Sequence, residues 1–139
     1  MESISIGHGT IRELPDAVRR YGRGKRVLMV TGPTVILDKE GEIIKEKIRA
    51  MLSESFEVEW LMLSEPGIVH ATPENAAKII ARLGEADCVV GVGSGTICDL
   101  CKYAAHNFGP SAPPLIIFQT ALSVNAFSDN SSVMLINGV

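Results

Sequence analysis

The chain has 139 residues, of which 46% are hydrophobic and 21% are charged, and its formal net charge is -3. This length allows one domain with a continuous core, and the composition is typical of globular proteins rather than disordered chains or coiled coils. The slightly acidic balance argues against nucleic acid as a partner, because phosphate binding requires a concentrated basic face.

The sequence shows no sign of a membrane span or of export. No apolar run approaches the length of a bilayer crossing, and residues 1–5 have neither a basic start nor an apolar core. The three cysteines are irregularly spaced, unlike a secreted disulfide framework. We therefore expect a cytoplasmic protein.

Helix-like and strand-like segments alternate from the start of the chain. The first predicted helix buries one stripe of residues: Ile11, Leu14, Val18 and Tyr21. Residues 26–31 form a short apolar run, as expected for a strand buried on both faces. The second predicted helix buries Ile44, Ile48, Met51 and Leu52. We assign Lys45 to the outer, charged face of that helix.

The alternation continues through the rest of the pattern. Residues 56–62 resemble a half-exposed strand, and a third helix begins with Thr72 as its N-cap. This helix is predicted to bury Ala76, Ala77, Ile80 and Leu83. Strands are predicted at 88–92 and 115–118, with a helix from about Thr96 between them. Because parallel strands need crossover connections, the order predicts an α/β fold: a Rossmann-like parallel sheet with helices on both faces.

The last residues predict half of a β-hairpin. Residues 133–136 have the pattern of a strand, and Asn137-Gly138 is a strong two-residue hairpin signal that only Val139 follows. A turn without its returning strand would leave one ladder edge unpaired. We therefore expect the fold to end in a truncated β-hairpin and the native polypeptide to continue.

The predicted strand at 88–92 runs into three alternating glycines: Gly91, Gly93 and Gly95. Glycine allows a sharp turn and a close approach of backbone N–H groups to a ligand, and the next helix adds its positive N-terminus. This combination predicts an anion site suited to a diphosphate. The spacing matches neither G-x-G-x-x-G nor a P-loop, so a tight turn without a ligand stays an alternative.

Three motifs together carry a family resemblance. Residues 93–95 (GSG), followed by Asp99 and Lys102, resemble the GGG-x-x-x-D-x-x-K signature of the iron-containing alcohol dehydrogenase and dehydroquinate synthase superfamily. Residues 27–34 (VLMVTGPT) are similar to the first nucleotide-binding strand and turn of its glycerol-1-phosphate dehydrogenases. Residues 119–123 (QTALS) resemble its P-T-x-x-S loop, with glutamine in place of the proline.

The resemblance implies an NAD or NADP site. Its cofactor-binding residues would be Gly32, Pro33, Gly93, Ser94, Gly95, Asp99, Thr120 and Ser123. Asp99 and Asn125 would lie on the nicotinamide and substrate side, although relatives carry an aspartate where Asn125 stands, and asparagine supplies no negative charge. Gly32 stands where many relatives place an acid that binds the adenine ribose. Its absence removes both a bond to the 2′-hydroxyl and the repulsion of a 2′-phosphate, so both cofactors stay open.

The resemblance also places a divalent metal (Fe, Zn or Ni) in a helical domain beyond this chain. Residues 1–139 would then be an N-terminal dinucleotide-binding domain that holds no metal and is inactive alone. Cys98 and Cys101 are interpreted as packing behind the glycine loop, with a redox pair or half a zinc site as the alternative. The histidines are interpreted as surface or cap residues: His8, His70 and His106.

The leading hypothesis is an oxidoreductase that transfers hydride between nicotinamide and a small alcohol or carbonyl substrate, with polyols or glycerol phosphates as the expected class. Two alternatives stay open: a dehydroquinate synthase-like lyase that uses NAD transiently, and a stand-alone nucleotide-binding module without catalysis. An exposed face toward a missing domain leaves a homo-oligomer open.

Overall fold

The computed structural model of the chain describes residues 9–121 and Met134. A 3-10 turn at Thr10–Glu13 leads into the first helix. The helices are α1 (Leu14–Tyr21), α2 (Ile44–Ser53), α3 (Pro73–Leu83) and α4 (Gly95–Phe108). The strands are β1 (Arg26–Thr31), β2 (Glu57–Met62), β3 (Cys88–Gly93) and β4 (Leu115–Gln119). The alternation predicted from the sequence is confirmed over this range.

The four strands form one sheet in the order β2-β1-β3-β4, and every neighbouring pair is parallel. The two central strands are buried along almost their whole length, which explains their continuous apolar runs. Side chains of β1 point alternately to two separate cores. Val27 and Met29 pack in the core under α1 and α2, whereas Leu28 and Val30 pack in the core under α3 and α4. The predicted Rossmann-like α/β class, with helices on both faces, is confirmed.

The strand order creates a crevice between β1 and β3. The chain leaves β1 toward the face that carries α2 and the neighbouring strand β2. It leaves β3 toward the opposite face, which carries α4, and continues to β4 on the other side. The two connections therefore diverge at the carboxyl ends of adjacent strands, the place where open α/β sheets bind ligands.

Two predictions about buried helix faces were wrong. In α2, Lys45 is only 4% exposed, because it follows the same spacing as the buried residues Ile48 and Leu52. In α3, the buried residues are Asn75, Ala76, Ile79 and Leu83, while Ala77 is exposed and Ile80 is half-buried.

Asn75 explains the orientation of α3. Its side chain turns inward and donates hydrogen bonds to the His70 carbonyl at 2.9 Å and to a Glu65 carboxylate oxygen at 3.2 Å. An inward Asn75 brings Ile79, one helical turn later, into the core. A polar residue thus sets the buried face, which an apolar pattern alone does not reveal.

The predicted truncated hairpin at 133–138 lies outside the described residues, apart from Met134. Met134 packs against the core under α3 and α4. Within residues 9–121, no helix is both long and apolar enough to cross a membrane.

Candidate functional site

The glycine loop after β3 is held tightly against α4. A Cβ atom at Gly93 would lie 2.6 Å from Cγ1 of Ile97, and one at Gly91 would lie 3.0 Å from Sγ of Cys101. Neither glycine adopts a positive φ. The packing therefore gives these glycines a steric reason: the strand and the helix approach too closely for a side chain.

The N-terminus of α4 faces the carboxyl edge of the sheet without a side-chain cap. Ser94 is the N-cap residue and is exposed, yet its hydroxyl makes no capping hydrogen bond. The Cys98 amide donates to the Ser94 carbonyl at 3.1 Å. Amides 95–97 come before it and have no carbonyl one turn earlier to bind. In α3, by contrast, the Thr72 hydroxyl accepts from the Asn75 amide at 3.3 Å.

The turn after β1 lies beside the glycine loop. A Cβ atom at Gly32 would lie 3.4 Å from Cδ1 of Ile97, the same side chain that excludes a Cβ at Gly93. Ile97 therefore contacts both turns and brings them together across the crevice. Pro33 follows Gly32 and is exposed. The distance at Gly32 is an ordinary van der Waals contact, so the missing acidic side chain is not explained by lack of space.

Lys45 is the residue of this region that the sequence interpretation missed. Its ammonium group donates a hydrogen bond to the Gly32 carbonyl, at the end of β1. Burial lowers the pKa of Lys45 below its usual 10.5. The signal that could have found it is the 45, 48, 52 spacing, which places the lysine on the buried stripe of α2.

Asp99 and Lys102 lie on α4, beyond its first turn. Their side chains form an ion pair at 3.7 Å, and both are largely covered, at 15% and 16% exposure. Lys102, which the signature shares with the family, is therefore more than a solvated helix residue. The Asp99 carboxylate, expected on the nicotinamide side, is oriented by this pair.

The end of β4 is tied to the glycine loop. The Thr120 amide donates to the Gly93 carbonyl at 2.9 Å, and Gln119 is the neighbour of Gly93 in the sheet. The structure thus gathers Gly32, the glycine loop and Thr120 at one edge of the sheet. Ser123 and Asn125 lie outside the described residues.

The cysteines are packing residues, as predicted. Cys98 and Cys101 are buried in α4, and burial raises the pKa of the Cys98 thiol to about 11 and that of Cys101 further. Of the histidines, His70 is bound through Nδ1 to Glu65 at 2.6 Å and His106 is exposed. His8 lies outside the described residues.

A cavity of about 340 Å³ lies at the other end of the sheet. It is lined by the first residues of β1 and β2 and by the turn before β3. Three of its lining side chains are carboxylates (Glu57, Glu59 and Glu85), against one cation, Arg26. The excess of negative charge makes this cavity less suited than the crevice to the phosphates of a dinucleotide.

The sequence matches the iron-containing alcohol dehydrogenase family over residues 5–139. It is 28% identical to a glycerol-1-phosphate dehydrogenase (NAD(P)+) of Halalkalibacterium halodurans, over 100% of this chain and 34% of that protein. A Pyrococcus furiosus protein of the same name is 29% identical, over 94% of this chain and 35% of its own length. The structure of an alcohol dehydrogenase from Oenococcus oeni matches with a TM-score of 0.69 at 18% identity, over 88% of this chain and 35% of that one.

These matched proteins are all dehydrogenases by name, and similar shares of their lengths are covered. The chain spans about a third of the length of the curated relatives it matches. The likeness to the Oenococcus structure supports the fold alone, because the sequence identity is low. The family match, however, covers nearly the whole chain. The chain therefore belongs to the iron-containing alcohol dehydrogenase family.

Proposed function

We propose that residues 1–139 are the N-terminal dinucleotide-binding domain of a dehydrogenase that moves a hydride between NAD or NADP and an alcohol or carbonyl substrate. The observation that carries this proposal is the uncapped N-terminus of α4 at the crevice between β1 and β3. Family membership supports the same reading.

The crevice fits a dinucleotide diphosphate. Amides 95–97 are free of intrahelical bonds by their position, and the helix dipole adds positive potential there. Ser94 is exposed beside them. Gly93, Ser94 and Gly95 would hold the diphosphate, while Gly32 with Pro33 and Thr120 would flank it on either side.

The nicotinamide would lie toward β4. Thr120 is tied to this end of the site, and Asp99 is on the adjacent helix. Thr120 and Ser123 would contact the cofactor, and Asp99 and Asn125 would face the substrate. When bound, the cofactor supplies the hydride-transfer chemistry, and the residues of this chain bind and orient it.

The substrate class and the metal are proposed from the relatives of this chain. Because the relatives include glycerol-1-phosphate dehydrogenases, we favour a glycerol phosphate or a polyol as the substrate of this protein, and hydride transfer over the lyase alternative. Within the part of the chain that the structure describes, no group of three His, Cys, Asp or Glu side chains could hold a metal. We assign the divalent metal (Fe, Zn or Ni) to a helical second domain, and the whole protein to the cytoplasm.

A charge at the N-cap of α4 tests the proposal. Ser94→Asp places a carboxylate where the diphosphate would bind, while aspartate remains a good N-cap residue, so the helix should persist. Thr72→Asp adds the same charge to the N-cap of α3 and is the matched control. In calorimetric titrations, we expect Ser94→Asp to lower the affinity for NADH and for NADPH by at least about tenfold. Thr72→Asp should lower either affinity by less than about twofold.

Two results would contradict the proposal. One is a folded wild-type chain that binds neither dinucleotide. The other is a Ser94→Asp variant that binds both as well as the wild type does.

A further inference from the structure

Lys45 brings a buried positive charge to the crevice between β1 and β3. Its side chain is 4% exposed, and its Nζ atom donates to the Gly32 carbonyl. Gly32 in turn faces Ile97, in the first turn of α4. The ammonium group therefore lies at the carboxyl end of β1, one strand away from the glycine loop.

This charge has no carboxylate partner within residues 9–121. The two acids near the start of α2, Asp38 and Glu42, are paired with Lys47 at 2.9 and 3.2 Å. Lys45 itself has only the neutral Gly32 carbonyl, which occupies one of its three N–H donors. Burying an ammonium group with one neutral acceptor is unfavourable. An anion at the crevice would compensate that cost.

The position of Lys45 indicates which anion it would meet. The diphosphate is assigned to the N-terminus of α4, and the nicotinamide half to the β4 side, next to Thr120. The adenosine half then extends over β1, where Lys45 lies. The remaining anionic group that a dinucleotide can carry on that half is the 2′-phosphate of NADP.

The turn after β1 is compatible with that group. Gly32 supplies no carboxylate, so nothing at this position would repel a 2′-phosphate or bind a 2′-hydroxyl. Lysine has a flexible four-carbon stem and three donors, so its ammonium group can bind a phosphate oxygen while it keeps or exchanges its bond to Gly32. We propose that Lys45 binds the 2′-phosphate and makes this domain prefer NADPH over NADH, an inference that rests on the proposed function.

A matched pair of lysine variants tests this role. Lys45→Met keeps the apolar stem and removes the charge, whereas Lys47→Met removes a lysine from the same helix that is already paired with Asp38 and Glu42. Calorimetric titrations of the 139-residue chain with NADPH and NADH give two dissociation constants for each protein: the wild type, Lys45→Met and Lys47→Met. We expect Lys45→Met to lower the affinity for NADPH by about tenfold or more and the affinity for NADH by less than about twofold. Lys47→Met should change neither the affinity for NADPH nor that for NADH by more than about twofold.

A second measurement uses the wild type alone, so it does not depend on the folding of a variant. Titration with 2′,5′-ADP and with AMP isolates the contribution of the 2′-phosphate. Tighter binding of 2′,5′-ADP is expected. Equal binding of the two, equal weakening of NADPH and NADH in Lys45→Met, or an unchanged affinity for NADPH would overturn the role of Lys45. A wild type that binds neither dinucleotide would instead overturn the proposed function.

Discussion

The side chain of Ile97 occupies the space that a side chain at Gly93 would need, with Cγ1 only 2.6 Å from the position of a Cβ atom. Ile97 also contacts Gly32, at 3.4 Å from the corresponding position. One apolar residue in the first turn of α4 therefore lies against both of the turns that line the crevice. The geometry of the site depends on packing as well as on its polar groups.

Substitution of Gly93 should destabilise the fold. Gly93→Ala forces a methyl group against Ile97, and overpacking of this kind costs about 1–3 kcal/mol in the free energy of unfolding. Gly84→Ala is the matched control, because Gly84 has helical φ and ψ angles and its nearest neighbour would be Phe108 at 3.9 Å. Alanine there should be neutral or stabilise by up to about 1 kcal/mol.

Urea unfolding measures both variants, and a double variant locates the cause. The loss in a double variant with Ile97→Ala should be smaller than the sum of the losses in the two single variants, because the clash is removed. Equal stability of Gly93→Ala and the wild type would contradict the close approach described above.

The three cysteine thiols should react slowly in the folded chain. Burial raises the pKa of Cys88 and Cys98 from the usual 9.0 to about 11 and raises that of Cys101 as well. At about pH 8 the thiolate fraction is then about 100-fold lower than in the unfolded chain. A thiol-specific chromogenic reagent should label the native chain slowly and all three cysteines quickly in guanidinium chloride. Rapid labelling of Cys98 or Cys101 in the native chain would revive the redox or zinc alternative.

Lys45 should make the stability of the chain depend on pH in the alkaline range. Its folded-state pKa lies below the unfolded value of 10.5, so between the two values the unfolded chain binds more protons. Stability relative to Lys45→Met should therefore rise as the pH increases from the lowered pKa toward 10.5, where the lysine of the unfolded chain also loses its charge. Unfolding free energies of both proteins across this range measure the effect. A difference that stays constant with pH would show that the buried lysine is not desolvated.

The hydrogen bond between Trp60 and Thr31 should stabilise the end of β1. The indole Nε1 donates to the Thr31 hydroxyl at 2.9 Å, and Thr31 is fully buried. Thr31→Val keeps the shape but leaves the indole donor without this acceptor, which costs about 1–3 kcal/mol. Thr31→Ser retains the hydroxyl and should lose less. Denaturant unfolding followed by the fluorescence of the single tryptophan measures both, and equal losses would contradict a role for the hydrogen bond.

The sequence was sufficient for the order of elements and for the position of the glycine loop. Apolar runs such as 88–92 are long enough to identify buried strands, and the loop follows at the carboxyl end of one of them. The steric reason for Gly91 and Gly93 could not be predicted, because it depends on how closely Ile97 and Cys101 approach in space.

Lys45 shows a second limit of sequence patterns. A lysine between apolar residues is usually placed on the outer face, yet its long aliphatic stem allows it to occupy a buried position. Only the location of the Gly32 carbonyl, at the end of another element, explains why the ammonium group turns inward. The residue with the clearest consequence for cofactor preference is thus the one that the pattern assigned to solvent.

A titration of the isotopically labelled 139-residue chain with NADPH, monitored through amide chemical shifts in NMR spectra, would show directly whether the dinucleotide binds at the crevice. We predict saturable shifts that are largest at amides 93–97, with smaller shifts at Gly32 and Thr120. Saturable binding whose largest shifts fall at the opposite end of the sheet, around Arg26 and Glu57, would contradict this prediction, and so would a folded chain whose spectrum does not change.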